Sequence, residues 1–199
     1  LFFTIIFIFA CGGSDGSGDD NPGGGGSVAS DGFDRQEMLA HLADNIIIPA
    51  YADLNTKVAS LTSATTSFTT ETTEGNLIVL RNAWLDAYTT WQYVEMFNIG
   101  KAEELAFGNY MNVYPVNANE IEANISGGVY DFDSPANFDT QSFPALDYLL
   151  YGVKSLDAEG KVDGGLKAET NEIVLEKFTT DVNATKYKTY LTDVVSRIS

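Results

Sequence analysis

The chain has 199 residues, with 28 acidic side chains against 11 basic ones and a formal net charge of -17. A field of that sign repels nucleic-acid phosphates and anionic lipid headgroups, which sets both aside as partners. One cysteine excludes an intramolecular disulfide. One histidine, with no HExxH helix and no Gly-rich phosphate loop, leaves little material for the common catalytic constellations.

Residues 1–10, LFFTIIFIFA, form an uncharged apolar run far shorter than the roughly 20 residues a membrane-spanning helix needs. The run reads as part of a secretory signal. Ile8, Phe9, Ala10 and Cys11 resemble a bacterial lipobox, in which cleavage leaves the cysteine as the lipid-attachment residue. The competing reading is a plain signal remnant with an incidental thiol. Leu1 is preceded by neither Met nor basic residues, so the numbering is expected to begin inside the signal. Residues 11–32, rich in Gly, Ser and Asp, predict a flexible tether spanning on the order of 25 Å. Asp15, Asp19 and Asp20 resemble export signals of surface lipoproteins and equally fit simple solubility. The expected location is the bacterial cell envelope, with acyl chains on Cys11 holding the protein at the outer membrane, periplasmic or surface-exposed.

From Phe33 to Ser199 the periodicity is helical, predicting one all-α, bundle-type domain. Leu39, Leu42, Ile46, Ala50, Leu54, Val58 and Leu61 make one apolar stripe on a helix beginning near Asp34, which Pro49 should kink or break. The Thr-rich stretch SATTSFTTETTEGN is expected to end it. A second helix carries Leu77, Leu80, Trp84, Ala87, Trp91 and Val94 on one face and closes near Gly100, so the pair predicts an antiparallel hairpin. Residues 101–141 are irregular, with one short helix over 117–126 stopped by Gly127 and Gly128; the stretch is expected to be functional or capping. Asp131, Asp133 and Asp139 lack EF-hand spacing and read as turn formers.

SFPALDYLLYG follows, a short helix with Ser142 as N-cap, Pro144 in its first turn and Gly152 as terminator. A last helix runs from about Leu166 with Val174, Phe178, Val182, Tyr187, Tyr190 or Leu191, Val194 and Ile198 inward. It is still in stride at Ser199, which predicts continuation of the natural protein. His41, beside Leu39 and Leu42, reads as a surface or packing residue.

Two carboxylates stand out. Asp147 lies in the apolar stripe of the short helix, four residues after Phe143 and four before Tyr151, and Glu95 shares a helix face with Trp84 and Trp91. Both are expected to be buried, where a carboxylate needs a partner. If the two helices face each other, Asp147 and Glu95 form a paired acid or cation site with Trp84 and Trp91 as ligand-face aromatics. Alternatively each acid bonds a backbone N–H, a Tyr hydroxyl or Arg81.

At these residues the chain resembles the imelysin-like family of bacterial envelope proteins. The likeness rests on IIIPAYADLNTKVASL, on the spacing of Trp84, Trp91 and Glu95, and on SFPALDYLLYG, which aligns with the family motif GxHxxE and its Leu-Leu-aromatic-Gly ending. It covers Phe33 to about Ser199. The family's members are longer, with two helical-bundle halves and the motif near their interface, so the chain looks like the first half and the opening of the second. Ser142 takes the motif's Gly place, Pro144 its His place and Asp147 its Glu place, as in a branch of the same family.

The resemblance implies a role in iron uptake through binding a metal or small ligand, with iron or another divalent ion as cofactor and iron-uptake components as partners. A metal-dependent peptidase is the alternative the family's older description implies, though Pro144 offers no ligand atom for it. A non-catalytic surface adhesion or scaffold module is the third.

Overall fold

In the computed structural model, residues 33–152 and 168–199 are described; the signal segment, Cys11, the tether and residues 153–167 lie outside them. The chain divides into Leu1–Arg35 and Gln36–Ser199, and the bundle belongs to the second unit. The described residues hold helices and no strand, as the all-α reading requires.

The first helical rod is α1 (Arg35–Leu42), a π-helical turn (Ala43–Ile47) and α2 (Ile48–Thr70) in unbroken succession. Pro49 sits at the start of α2, where a missing N–H is tolerated, and the π turn before it absorbs the expected kink. The apolar stripe is buried only from Leu54 onward; Leu39 and Ile46 remain exposed. The Thr-rich stretch ends the helix as expected, but only at Thr70, two turns into the stretch. Thr62, Ser63, Thr65, Thr66, Ser67 and Thr69 each donate to the carbonyl four residues back, satisfying their hydroxyls within the helix, and Phe68 is fully buried.

Thr73 caps α3 (Glu74–Val94), accepting from the Asn76 N–H, and the predicted face is the buried face. α3 closes at Val94, short of Gly100. Two small helices follow, α4 (Lys101–Glu104) and α5 (Gly108–Met111), then α6 (Ala118–Gly127). The α6 caps are those its sequence signals: Asn117 accepts from the Glu120 N–H, and Gly128 is left-handed at φ 70°. A 3-10 turn (Pro135–Thr140) leads into α7 (Ser142–Tyr151).

The expected last helix is two helices, α8 (Asn171–Thr179) and α9 (Ala184–Ile198). Asp181 Oδ1 accepts from the Asn183 N–H at 2.7 Å, a side-chain turn that competes with helix continuation, and Val182 points outward at 95 % exposure instead of inward. α9 packs on α2, α7 and α8 with Tyr187, Tyr190, Leu191, Val194, Val195 and Ile198 buried.

The irregular stretch caps α9. Tyr130 donates to Asp193 at 2.6 Å, Tyr190 donates to the Thr140 carbonyl at 2.6 Å, and Arg197 pairs with Asp133. Asp131 accepts from the Asp133 N–H at 2.9 Å, the turn role predicted for it. No helix among the described residues is long and apolar enough to cross a membrane.

Candidate functional site

α7 lies antiparallel against α3, and three side chains of α3 set its register. Arg81 donates from Nε and Nη2 to the Leu150 carbonyl, Trp84 donates from Nε1 to the Phe143 carbonyl at 3.0 Å, and Tyr88 stacks on Phe143 with centroids 5.1 Å apart. The helices bearing Asp147 and Glu95 therefore do face each other.

The entry to α7 differs from its expected form. Gln141, not Ser142, occupies the cap position, and it makes no side-chain capping bond. Ser142 is the first helical residue at φ 91°, in the left-handed region, and its Oγ is buried without a hydrogen-bond partner. A side chain aimed into the core cannot cap the helix. Pro144 is buried in the first turn. At the other end Gly152 has φ 66°, and a Cβ there would meet Glu169 Cγ at 2.9 Å, so only glycine fits.

Asp147 is exposed, which corrects the expectation of burial. The helix instead turns Phe143, Leu146, Leu149 and Leu150 inward, and Asp147 falls at the edge of that stripe. It makes no hydrogen bond or ion pair among the described residues, and Arg81, a possible partner, is engaged elsewhere. One flank meets solvent while neighbouring groups crowd the other, and this partial burial pushes its carboxyl up. Glu95, expected on a buried stripe, is exposed at the end of α3.

The structure brings both acids to one phenol. Burial raises Tyr88, and the charges of Glu95 and Asp147 raise it further, while its hydroxyl donates to Asn112 Oδ1 at 2.8 Å. Burial also raises Tyr151; Arg81 opposes that shift and Asp147 adds to it. Trp84 and Trp91 are core residues, 8 % and 2 % exposed. Trp84 packs edge-on against Tyr151 at 5.7 Å, and Trp91 does so against Phe107 at 5.3 Å. Phe143 and Tyr151 flank Asp147 one turn before and one turn after it on its own helix, and they pack on Tyr88 and Trp84. The signal for Tyr151 was its place four residues after Asp147.

A second carboxylate carried no recognisable motif. Glu122 of α6 accepts from Tyr148 at 2.5 Å, from Lys177 at 2.9 Å and from Tyr187. Burial opposes its ionisation, but these three donors outweigh burial and hold the carboxyl below its ordinary value. Burial and the Glu122 carboxylate push both phenols up.

A His-plus-carboxylate metal centre does not fit these residues. Among the described residues no group of three or more His, Cys, Asp or Glu side chains is placed to hold a metal ion. Of the motif positions, Pro144 carries no donor, Ser142 points into the core, and Asp147 stands alone on α7.

The family description for imelysin, peptidase M75, matches residues 47–198. Iron-regulated protein A of Synechococcus elongatus is 23% identical over 115 residues, which are 58% of this chain and 31% of that protein. A solved structure described as an iron-regulated protein A precursor from Parabacteroides distasonis superposes with a TM-score of 0.61 at 21% identity, covering 80% of this chain and 40% of that one. That likeness establishes the fold, and the chain spans about a third of its curated relative's length.

Proposed function

Since the chain belongs to the imelysin family, we propose that it serves iron uptake at the cell envelope as a binding protein, taking a small ligand at the α3–α7 surface around Asp147. The observation that carries this reading is Asp147 itself. It lies on the helix that bears the family motif, reaches solvent, has no internal partner among the described residues, and stands beside Tyr151 and the Tyr88–Phe143 stack. The names of the two relatives support the link to iron. The lipobox-like run ending at Cys11 supports lipid anchoring in the envelope.

Binding accounts for these residues better than hydrolysis does. A metal-dependent peptidase needs several N or O donors, an open coordination position and a general base. Pro144 supplies none of these. The test is growth of a strain lacking the gene in chelator-treated medium, complemented by the complete gene as wild type or Asp147→Asn. Slow growth of the deletion strain, restored by the wild type and not by the variant, is the expected outcome. Equal growth of parent and deletion strain would remove the iron-uptake reading, and full rescue by Asp147→Asn would remove the role of Asp147.

A further inference from the structure

The first helical rod outruns its neighbour. α2 has 23 residues and α3 has 21, so that pair is matched in length, and α1 with the π-helical turn, 8 and 5 residues, extends about 20 Å beyond it. No residue of that extension is buried. Its sequence nevertheless continues the apolar spacing of Leu54 and Val58, with Leu39 and Ile46 left exposed. The turn after α3 is apolar as well. Tyr51, in the first turn of α2, donates to the Phe97 carbonyl at 2.9 Å and holds that turn against the base of the extension. Around it Tyr93, Met96 and Ile99 are exposed, Met96 at 76 %. Single apolar side chains on a surface are ordinary, but Met38, Leu39, Ile46, Tyr93, Met96 and Ile99 at one end of a hairpin mark an interaction surface.

Charge selects the partner. Glu95 closes α3, whose last turn holds no basic residue, so its carboxylate adds to the negative end of the helix dipole. Asp44 in the π turn and Glu103 and Glu104 in α4 are exposed acids at the same end, and Lys101 is taken up by Glu104 at 3.0 Å. A second copy would set these acids against themselves, and an anionic bilayer would set phosphates against them. A helix carrying lysine or arginine beside an apolar stripe answers both the acids and the exposed side chains. Met38 and Met96 suit such a partner, because unbranched thioether side chains adapt to differing apolar contours.

We propose that this end of the hairpin docks a cationic amphipathic helix of another protein, laid along the α1 extension past the end of α3. There it continues the packing that α3 makes with α2. The extension accommodates about 13 residues of helix, three to four turns. The proposal stands apart from the ligand reading at Asp147 and needs no part of it.

The test uses the complete gene product and three synthetic helical peptides of about 14 residues, a length matched to the extension. One is an amphipathic Leu/Lys peptide, the second replaces its lysines with glutamate, and the third keeps the Leu/Lys composition with the leucines dispersed around the helix. Binding is read by calorimetry and by the methyl resonances of Met38, Ile46, Met96 and Ile99. The amphipathic Leu/Lys peptide is expected to bind saturably and shift these methyls, and the other two peptides to do neither. Ile46→Gln and Met96→Gln, polar changes at exposed positions, should each weaken binding about tenfold with unchanged melting temperatures, and Glu95→Gln should weaken it as well. Leu85→Gln, at an exposed apolar residue in the middle of α3, should bind as the wild type does. Equal binding of either control peptide would overturn the proposal, as would wild-type affinity in the Ile46 and Met96 variants. So would a dimer in light scattering that Met96→Gln dissociates, which assigns the surface to a second copy. Binding to phosphatidylethanolamine vesicles that is lost in the same variant would assign it to lipid and overturn the proposal too. Ile46 and Met96 methyls shielded from a soluble paramagnetic agent before any peptide is added would show the surface already covered, with the same consequence.

Discussion

Arg81 closes the C-terminal end of α7, donating from Nε and Nη2 to the Leu150 carbonyl at 2.9 and 2.7 Å while its third nitrogen, Nη1, reaches Asn171 Oδ1 at 2.6 Å. Asn171 in turn donates to Glu74 at 2.7 Å, so one side chain ties α3, α7 and α8 together. Lysine cannot reproduce a planar fork that serves two acceptors and lies on an aromatic face. Arg81→Lys should cost about 2 kcal/mol, measured as a lowered urea midpoint with unchanged m-value. A midpoint equal to wild type would show that the fork carries no stability.

Ser142 invites the opposite change. Its φ of 91° strains a residue with a Cβ by roughly 1–2 kcal/mol, and its buried hydroxyl has no partner. Glycine removes both costs and adds roughly 0.5–1 kcal/mol of chain entropy. Ser142→Gly should therefore stabilise the protein by about 1 kcal/mol, while Ser142→Ala, which keeps the strained φ, should gain less. Thermal unfolding of the three proteins decides it, and a melting temperature lowered by glycine would refute the strain argument.

Glu122 gives the fold a pH dependence of known sign. Its folded carboxyl lies below the ordinary value because Tyr148, Tyr187 and Lys177 donate to it against the effect of burial. The unfolded chain therefore takes up that proton first as pH falls, and the contribution of Glu122, full above its unfolded value near 4.5, is lost as pH drops through the depressed folded value. Glu122→Gln should lose about 1 kcal/mol at neutral pH, a figure kept small because the carboxylate is partly exposed. Denaturation midpoints from pH 7 down to pH 3 should converge for the two proteins. Parallel curves would show that the cluster does not titrate as described.

The placement of the acids can be checked through the phenols. Asp147 raises both Tyr88 and Tyr151, whereas Glu95 acts on Tyr88. Asp147→Asn should lower the titration of both tyrosines, and Glu95→Gln should lower that of Tyr88 and leave Tyr151 unmoved. Site-resolved tyrosine titration by NMR reads this directly. A Tyr151 response to Glu95→Gln equal to that of Tyr88 would contradict the geometry.

What the sequence made legible follows a physical pattern. α3 and α6 were readable because cap, apolar spacing and stop agree in each, from Thr73 to Val94 and from Asn117 to Gly128. The Thr-rich stretch marks the end of α2, though the helix continues into it as far as Thr70 because the hydroxyls there donate to carbonyls one turn back and Phe68 is buried. The break between α8 and α9 was hidden because apolar spacing continues through Val182 while one Asp181 side-chain bond ends the helix. The pairing of α3 with α7 entered the sequence reading only as a condition, and the Trp84 and Tyr88 contacts to Phe143 supply it. The exposure of Asp147 was not anticipated, because a ten-residue helix has edges as well as a buried face, and only its neighbours decide which is which. The Glu122 cluster joins four helices far apart in sequence, and no local pattern announces such a contact.

Iron uptake tests the central claim most directly. Cells grown under iron limitation and lacking the gene would be supplied with the complete gene as wild type, Asp147→Asn, or Asp86→Asn, the last removing an exposed α3 acid that pairs with Lys57. With equal protein levels in the envelope fraction, radiolabelled iron should accumulate in the wild-type and Asp86→Asn cells and fall to the deletion level in Asp147→Asn cells. Wild-type accumulation in the Asp147→Asn cells would contradict the account.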